Sequence, residues 1–265
     1  MVADLGIDAA TVQGTGAGGR VTVSDVNAVA TAAASERRPF NRMQQRAGAA
    51  LLTSKRTAAH GYTVAVADYS ALDEVRRGNR ERWRETEGFS LTYLPFVARA
   101  VVDAIAERPL MNATVGDDAM TLHRDVHLGI AVDLAHQGLV VPVVRSADTL
   151  RMRGIARRID DVARRARAKQ LAPDDVSGGT FTITNPGASG TYQSFPIVNL
   201  PQVAILSTDG VAKRVCADER GRLDVRTVGH LCLAFDARVI EPMYAGAFVA
   251  RVAELLASRD WAAEL

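Results

Sequence analysis

A chain of 265 residues, 48% hydrophobic and 23% charged with a formal net charge of +2, has the make-up of a globular protein with a sizeable core. Bases alternate with acids in stretches such as LDEVRRGNRERWRETE, which describes a solvated helix face and argues against a nucleic-acid partner. Cys216 and Cys232 have no metal-type spacing, no metal site is expected, and no apolar run reaches the roughly 20 residues that span a bilayer. With no signal peptide evident, a reducing, cytoplasmic setting without a membrane partner is expected.

The first unit is residues 3–29, within an expected small domain over 1–30. GTGAGGR is a tight glycine loop, and SDVNAV opens a helix with Ser24 as its expected N-cap. A phosphate cradle is disfavoured there, because the P-loop lysine and a leading strand are missing. ATAAASERRP lies in an expected linker over 31–39, and one α/β domain is expected over 40–265. In chain order that domain offers a helix over 42–55, a strand in YTVAVADYS, and a helix behind a Ser70/Asp73 capping box. A long apolar-faced helix then stops before Pro109. VHLGIAVDL and GLVVPVVRS suit paired buried strands, and Ile155, Ile159 and Val162 mark the core stripe of another helix. Three further strands lie in GGTFTITNPGASG, PQVAILSTDG and VRTVGHLCLAF, and a last helix begins near Glu241.

Taken together, these segments resemble the E2 component, or dihydrolipoamide acyltransferase, of 2-oxo acid dehydrogenase complexes. LGIDAATVQGTGAGGRVTVSDV is similar to its peripheral-subunit-binding domain, here clipped at the start to MVAD. LTYLPFVARAVVDAIAERPLMNAT, VHLGIAVDLAHQGLVVPVVRSAD and GGTFTITNPGASGTYQSFPIVNLPQVAIL resemble catalytic-domain segments in the family's order. The resemblance implies an α/β, chloramphenicol-acetyltransferase-like mixed sheet flanked by helices, assembled as a trimer or a multiple of it. It also implies coenzyme A, as acetyl-CoA, for the acyl donor. No lipoyl domain precedes residue 1, so no lipoyl group is expected on this chain.

The family's catalytic signature, DHRVIDG, reads here Asp236-Ala237-Arg238-Val239-Ile240-Glu241-Pro242. Ala237 stands at the position of the general-base histidine, either natively or by replacement. An alanine has no titratable atom, so slow or absent turnover is expected. Thr184 matches the hydroxyl that the resemblance assigns to the oxyanion of the tetrahedral intermediate; taken alone it reads as a strand residue with a local backbone bond. Asp236 and Arg238 read as an ion pair fixing the loop. Glu241, at a helix start, can hold an arginine or lend polarity to the site. The donor tunnel is expected to run past Leu139, Val140, Val141, Pro142 and Thr184, although the apolar four suit a plain core strand equally well. None of the five histidines, His60, His123, His127, His136 and His230, is expected to replace the missing base.

Without a lipoyl domain, the expected reaction is acetyl transfer from CoA to a hydroxyl of a small or carrier-bound acceptor. The stand-alone acyltransferases of tetronate-type pathways are the model for this reading. The alternative is a non-catalytic E2-like scaffold, or a component of a 2-oxo acid dehydrogenase complex resembling E3-binding protein.

Overall fold

The computed structural model describes residues 7–8, 11–33, 38–135, 138–218 and 220–265. The chain divides into two units, Met1–Met43 and Gln44–Leu265. The expected clipped helix at MVAD lies outside the described residues.

In the first unit the helix α1 spans Val23–Ala33 and runs into the expected linker. Its start is not capped by Ser24, which lies inside the first turn. Thr22 takes that place: its hydroxyl accepts from the Asp25 amide at 3.3 Å, and the Asp25 carboxylate accepts from the Thr22 amide at 2.7 Å. This is a reciprocal capping box. The same carboxylate accepts from the Thr15 amide and hydroxyl at 3.0 and 2.6 Å. Asp25 thus ties the glycine loop, where Gly18 and Gly19 adopt φ of +70° and +78°, to the helix start.

Helix α2 is Arg42–Thr57 and strand β1 His60–Asp68. Helix α3, Ser70–Glu87, lacks the expected capping box. Ser70 Oγ instead accepts from the Thr227 amide, while Asp73 accepts from Arg76 and from the Tyr93 hydroxyl. Helix α4, Leu94–Glu107, precedes a small hairpin of β2, Ala113–Val115, and β3, Met120–Leu122. The two expected apolar strands each break in two. Leu128–Ile130 (β4) pairs with Val143–Val144 (β7), and Val132–Asp133 (β5) pairs with Leu139–Val140 (β6). Helix α5 is Met152–Arg167, with Ile155, Ile159 and Val162 buried as expected. Strands β8, Phe181–Thr184, and β9, Ala204–Thr208, precede the hairpin of β10, Ala212–Ala217, with β11, Leu223–Asp236. Helix α6, Pro242–Ser258, follows.

The main sheet has the order β1-β11-β9-β8-β4-β7, with β10 also on β11. β8 runs parallel to β4 and β9, while the other pairs are antiparallel. This is the expected mixed sheet flanked by helices. Alternate residues along β11 separate its faces. Leu231, Leu233 and Phe235 join the core beneath α3–α6, whereas Ala234 packs with Ile205 and Val198 on the opposite face.

The many hydrogen bonds to Asp25, led by those from Thr15, hold its carboxyl well below the usual carboxylate range. A depressed folded-state pKa gives stability that is present above pH ~4 and lost as pH falls further. Asp25→Asn is therefore expected to lower the melting temperature of the isolated 1–43 segment at pH 7, with a smaller difference near pH 2, checked by circular dichroism.

Candidate active site

β11 ends at Asp236, opposite His60 on β1, and the chain turns there. The Asp236 carboxylate is fully buried. It accepts from Arg238 Nε at 3.0 Å, Arg238 Nη2 at 2.6 Å, the Arg238 amide at 3.1 Å and the Ala59 amide at 3.3 Å. Burial alone would raise its pKa. The Arg238 guanidinium and the two amides outweigh burial and hold it below the usual carboxylate range. The expected ion pair is therefore present. Ala237 follows on the surface, its amide donating to the Ala59 carbonyl at 2.8 Å. The loop is pinned through carboxylate and backbone, so a methyl group sits in a fixed place.

Glu241 is exposed at the N-terminus of α6 and makes no side-chain hydrogen bond or ion pair among the described residues. It holds no arginine there. Thr184 closes β8, half-buried, and its hydroxyl has no partner among the described residues. The local backbone bond of the simpler reading is absent, so this O–H is available to a ligand.

Strand register places these parts relative to one another. Thr184 lies beside Ser207 and Ser207 beside Cys232, whereas Ala237 lies five residues past Cys232. Thr184 and Ala237 of one chain are thus about 17 Å apart along the strands and about 10 Å apart across them. They cannot share one reacting carbonyl.

A cleft of ≈ 930 Å³ opens between α4, α5 and the β5–β6 hairpin, lined by residues that include Ile130, Val132, Ile159, Lys169, Asn185 and Ser189. Leu139, Val140, Val141, Pro142 and Thr184 do not line it. Pro142 is buried, Val140 and Val141 are half-buried, and Leu139 is 52% exposed.

The histidines have structural employment. His60 bonds through both ring nitrogens, to the Ala58 carbonyl and from the Val198 amide, each at 3.0 Å. His123 bonds Thr114, and His127 accepts from the Ser146 amide. His230 lies against the Tyr192 ring at a tilt of 49°, far along β11 from Ala237. His136 lies outside the described residues. Sequence reasoning missed the role of Ala59. A backbone amide and carbonyl leave no mark in a sequence.

Residues 32–262 match the family model of the 2-oxoacid dehydrogenases acyltransferase (catalytic domain). This chain belongs to that acyltransferase family. Residues 1–27 match the e3 binding domain. The lipoamide acyltransferase component of the branched-chain alpha-keto acid dehydrogenase complex of Bacillus subtilis is 31% identical over 98% of this chain and 70% of its own length. The acetyltransferase component of the Mycobacterium tuberculosis pyruvate dehydrogenase complex is 40% identical over 75% of this chain but 37% of its own length.

Among solved structures, a dihydrolipoamide acetyltransferase of Azotobacter vinelandii superimposes with a TM-score of 0.81, at 31% identity, covering 84% of this chain and 92% of that one. That structure was studied for the catalytic role of a serine, a histidine and an asparagine, the last two spaced four residues apart like Ala237 and Glu241. The cubic core of a pyruvate dehydrogenase multienzyme complex superimposes equally well, with a TM-score of 0.81 at 30% identity, covering 84% of this chain and 92% of that one. None of these relatives supports a tetronate-type acceptor.

No helix among the described residues is long and apolar enough to cross a membrane. Replacing Asp236 by Asn weakens charge-assisted bonds worth about 1.5–3 kcal/mol each. Asp236→Asn is expected to lower the unfolding free energy at pH 7 by about 2–3 kcal/mol in urea melts. Because the folded-state pKa is depressed, the gap narrows as pH falls below ~4.

Proposed function

We propose that this chain is an E2-like component of a 2-oxoacid dehydrogenase complex, in which it assembles partners while its own acyl transfer is slow. The observation that carries this reading is an acyltransferase fold, preceded by an E3-binding sequence, whose catalytic loop is rigidly pinned with Ala237 at the base position. The E3-binding match supports docking of a partner subunit onto residues 1–27.

The chemistry proposed for the site is acyl exchange between coenzyme A and a second thiol, both as substrates. The attacking thiol gives its proton to a base, and its sulfur bonds to the thioester carbonyl carbon. The resulting oxyanion accepts a hydrogen bond from the Thr184 hydroxyl. Collapse breaks the original C–S bond, and the departing sulfur takes the proton back. Ala237 cannot hold that proton. Glu241, with an unbonded carboxylate four residues on, is the titratable group of the loop that remains for the site.

The separation of Thr184 from Ala237 within one chain favours a site completed between copies. On the sheet face away from the helices, β1 exposes Tyr62, Val64 and Val66 at 39%, 38% and 62%. This apolar stripe suits burial against a second copy. A trimer or a multiple of it fits both features, and the cubic core that superimposes on this chain supports it.

Acetyl-CoA and dihydrolipoamide turnover tests the reading. Ala237→His is expected to raise kcat by at least about 100-fold while leaving CoA affinity by calorimetry within about twofold. Equal, substantial turnover in both forms would place the base elsewhere. Failure of the intact chain to retain an E3 subunit would contradict the assembly role.

A further inference from the structure

The segment 185–199 connects the two half-sites of one chain. It leaves Thr184, passes the end of β9, crosses the middle of β11 at His230, and returns toward the 236–238 loop. Gly187 lies so close to Asp209 and Gly210 that a Cβ would come within 2.6–2.8 Å of their backbone. The Gly210 amide donates to the Thr191 carbonyl at 2.7 Å. The Tyr192 ring sits 4.4 Å from the His230 ring and 4.4 Å from the Arg214 guanidinium. Phe195 meets Tyr62 edge-on at 5.4 Å.

At the far end Val198 is held from two sides. Its carbonyl accepts from Ser54 Oγ at 2.6 Å, and its amide donates to His60 Nε2 at 3.0 Å. The other nitrogen, Nδ1, lies 3.0 Å from the Ala58 carbonyl. A carbonyl can only accept and an amide can only donate. These two bonds therefore require a neutral imidazole protonated at Nδ1. Next to His60, Ala59 holds the 236–238 loop through its amide and its carbonyl.

We propose that His60 is a positioning residue: its neutral imidazole latches the 185–199 segment to the strand that holds the 236–238 loop, and so fixes the spacing between the two half-sites of each chain. The inference rests on Thr184 and the Ala237 loop being halves of active sites. Where those halves serve neighbouring sites of an oligomer, the latch connects one site to the next. Protonation would set a second N–H against the Val198 amide and open the latch. The charged groups around His60 are the Asp236–Arg238 pair across the strand and Lys55 on α2, whose ammonium bonds the Tyr62 hydroxyl at 2.8 Å.

Amide hydrogen exchange on the intact chain tests the latch without relying on activity. The protection factor at Val198 is expected to fall about tenfold in His60→Ala, the loss of one hydrogen bond. His60→Gln, whose amide oxygen can accept in place of Nε2, should keep the protection. Equal protection in the unaltered chain and His60→Ala, or a loss in His60→Gln as large as in His60→Ala, would overturn the latch.

The positioning role is read in the Ala237→His background, where adding His60→Ala should lower kcat about tenfold and leave the KM for CoA unchanged. An unchanged kcat with a released segment would overturn that role. If Ala237→His itself shows no turnover, the acyl-transfer part of the proposed function fails, and the exchange data alone decide the latch.

Discussion

Asp236 is a carboxylate with no exposure, at the last position of a 14-residue strand, and the candidate site depends on it. Its burial is tolerable because every direction offers a donor: the Arg238 guanidinium, the Arg238 amide and the Ala59 amide. The loop beyond it cannot relax outward without leaving a charge unsatisfied in the interior. Position 237 is therefore a fixed point of the fold, whatever side chain it carries. A histidine there would have a defined place, and the alanine leaves that place equally defined but chemically silent.

The mixed sheet transmits this constraint. β11 is an interior strand, flanked by β1 on one side and β9 on the other, and its alternation sends Leu231, Leu233 and Phe235 into the helical layer. The intervening residues face the 185–199 segment and, beyond it, the open apolar stripe of β1. The same register that buries the core therefore puts Thr184 and Ala237 at opposite ends of the strands. This separation follows from β8 and β9 being parallel while β11 runs against them. It is this separation on which the proposal of a site completed between copies rests.

Much of this was legible in the sequence. The long helices announced themselves by apolar stripes, as in Ile155, Ile159 and Val162, and Asp236 with Arg238 read correctly as an ion pair. Local capping was less legible. Ser24 and Ser70 both carry the right side chain, but Thr22 wins the first cap because Asp25 reciprocates, and Ser70 is occupied by a cross-chain bond to the Thr227 amide. The β10 strand was passed over because its exposed face, at Val215, breaks the apolar pattern that marked its neighbours. The roles of Ala59 and Val198 had no sequence signal, since both act through backbone groups. The tunnel residues Leu139–Pro142 illustrate a different limit: apolar strand patterns reveal burial, but they do not say which surface a ligand or a second copy will cover.

The claim that the site is completed between copies can be tested by mixing two chains, each defective on its own. The unaltered chain supplies Thr184 but lacks a base at 237. The double variant Ala237→His/Thr184→Ala supplies the base but lacks the hydroxyl. After dissociation and reassembly together, acetyl-CoA turnover should rise well above the sum of the two parents, because some mixed interfaces pair an intact hydroxyl with an intact base. If Ala237→His alone turns over but the mixture stays at the parental sum, the two groups act within one chain, and the geometry inferred from the strand register is contradicted.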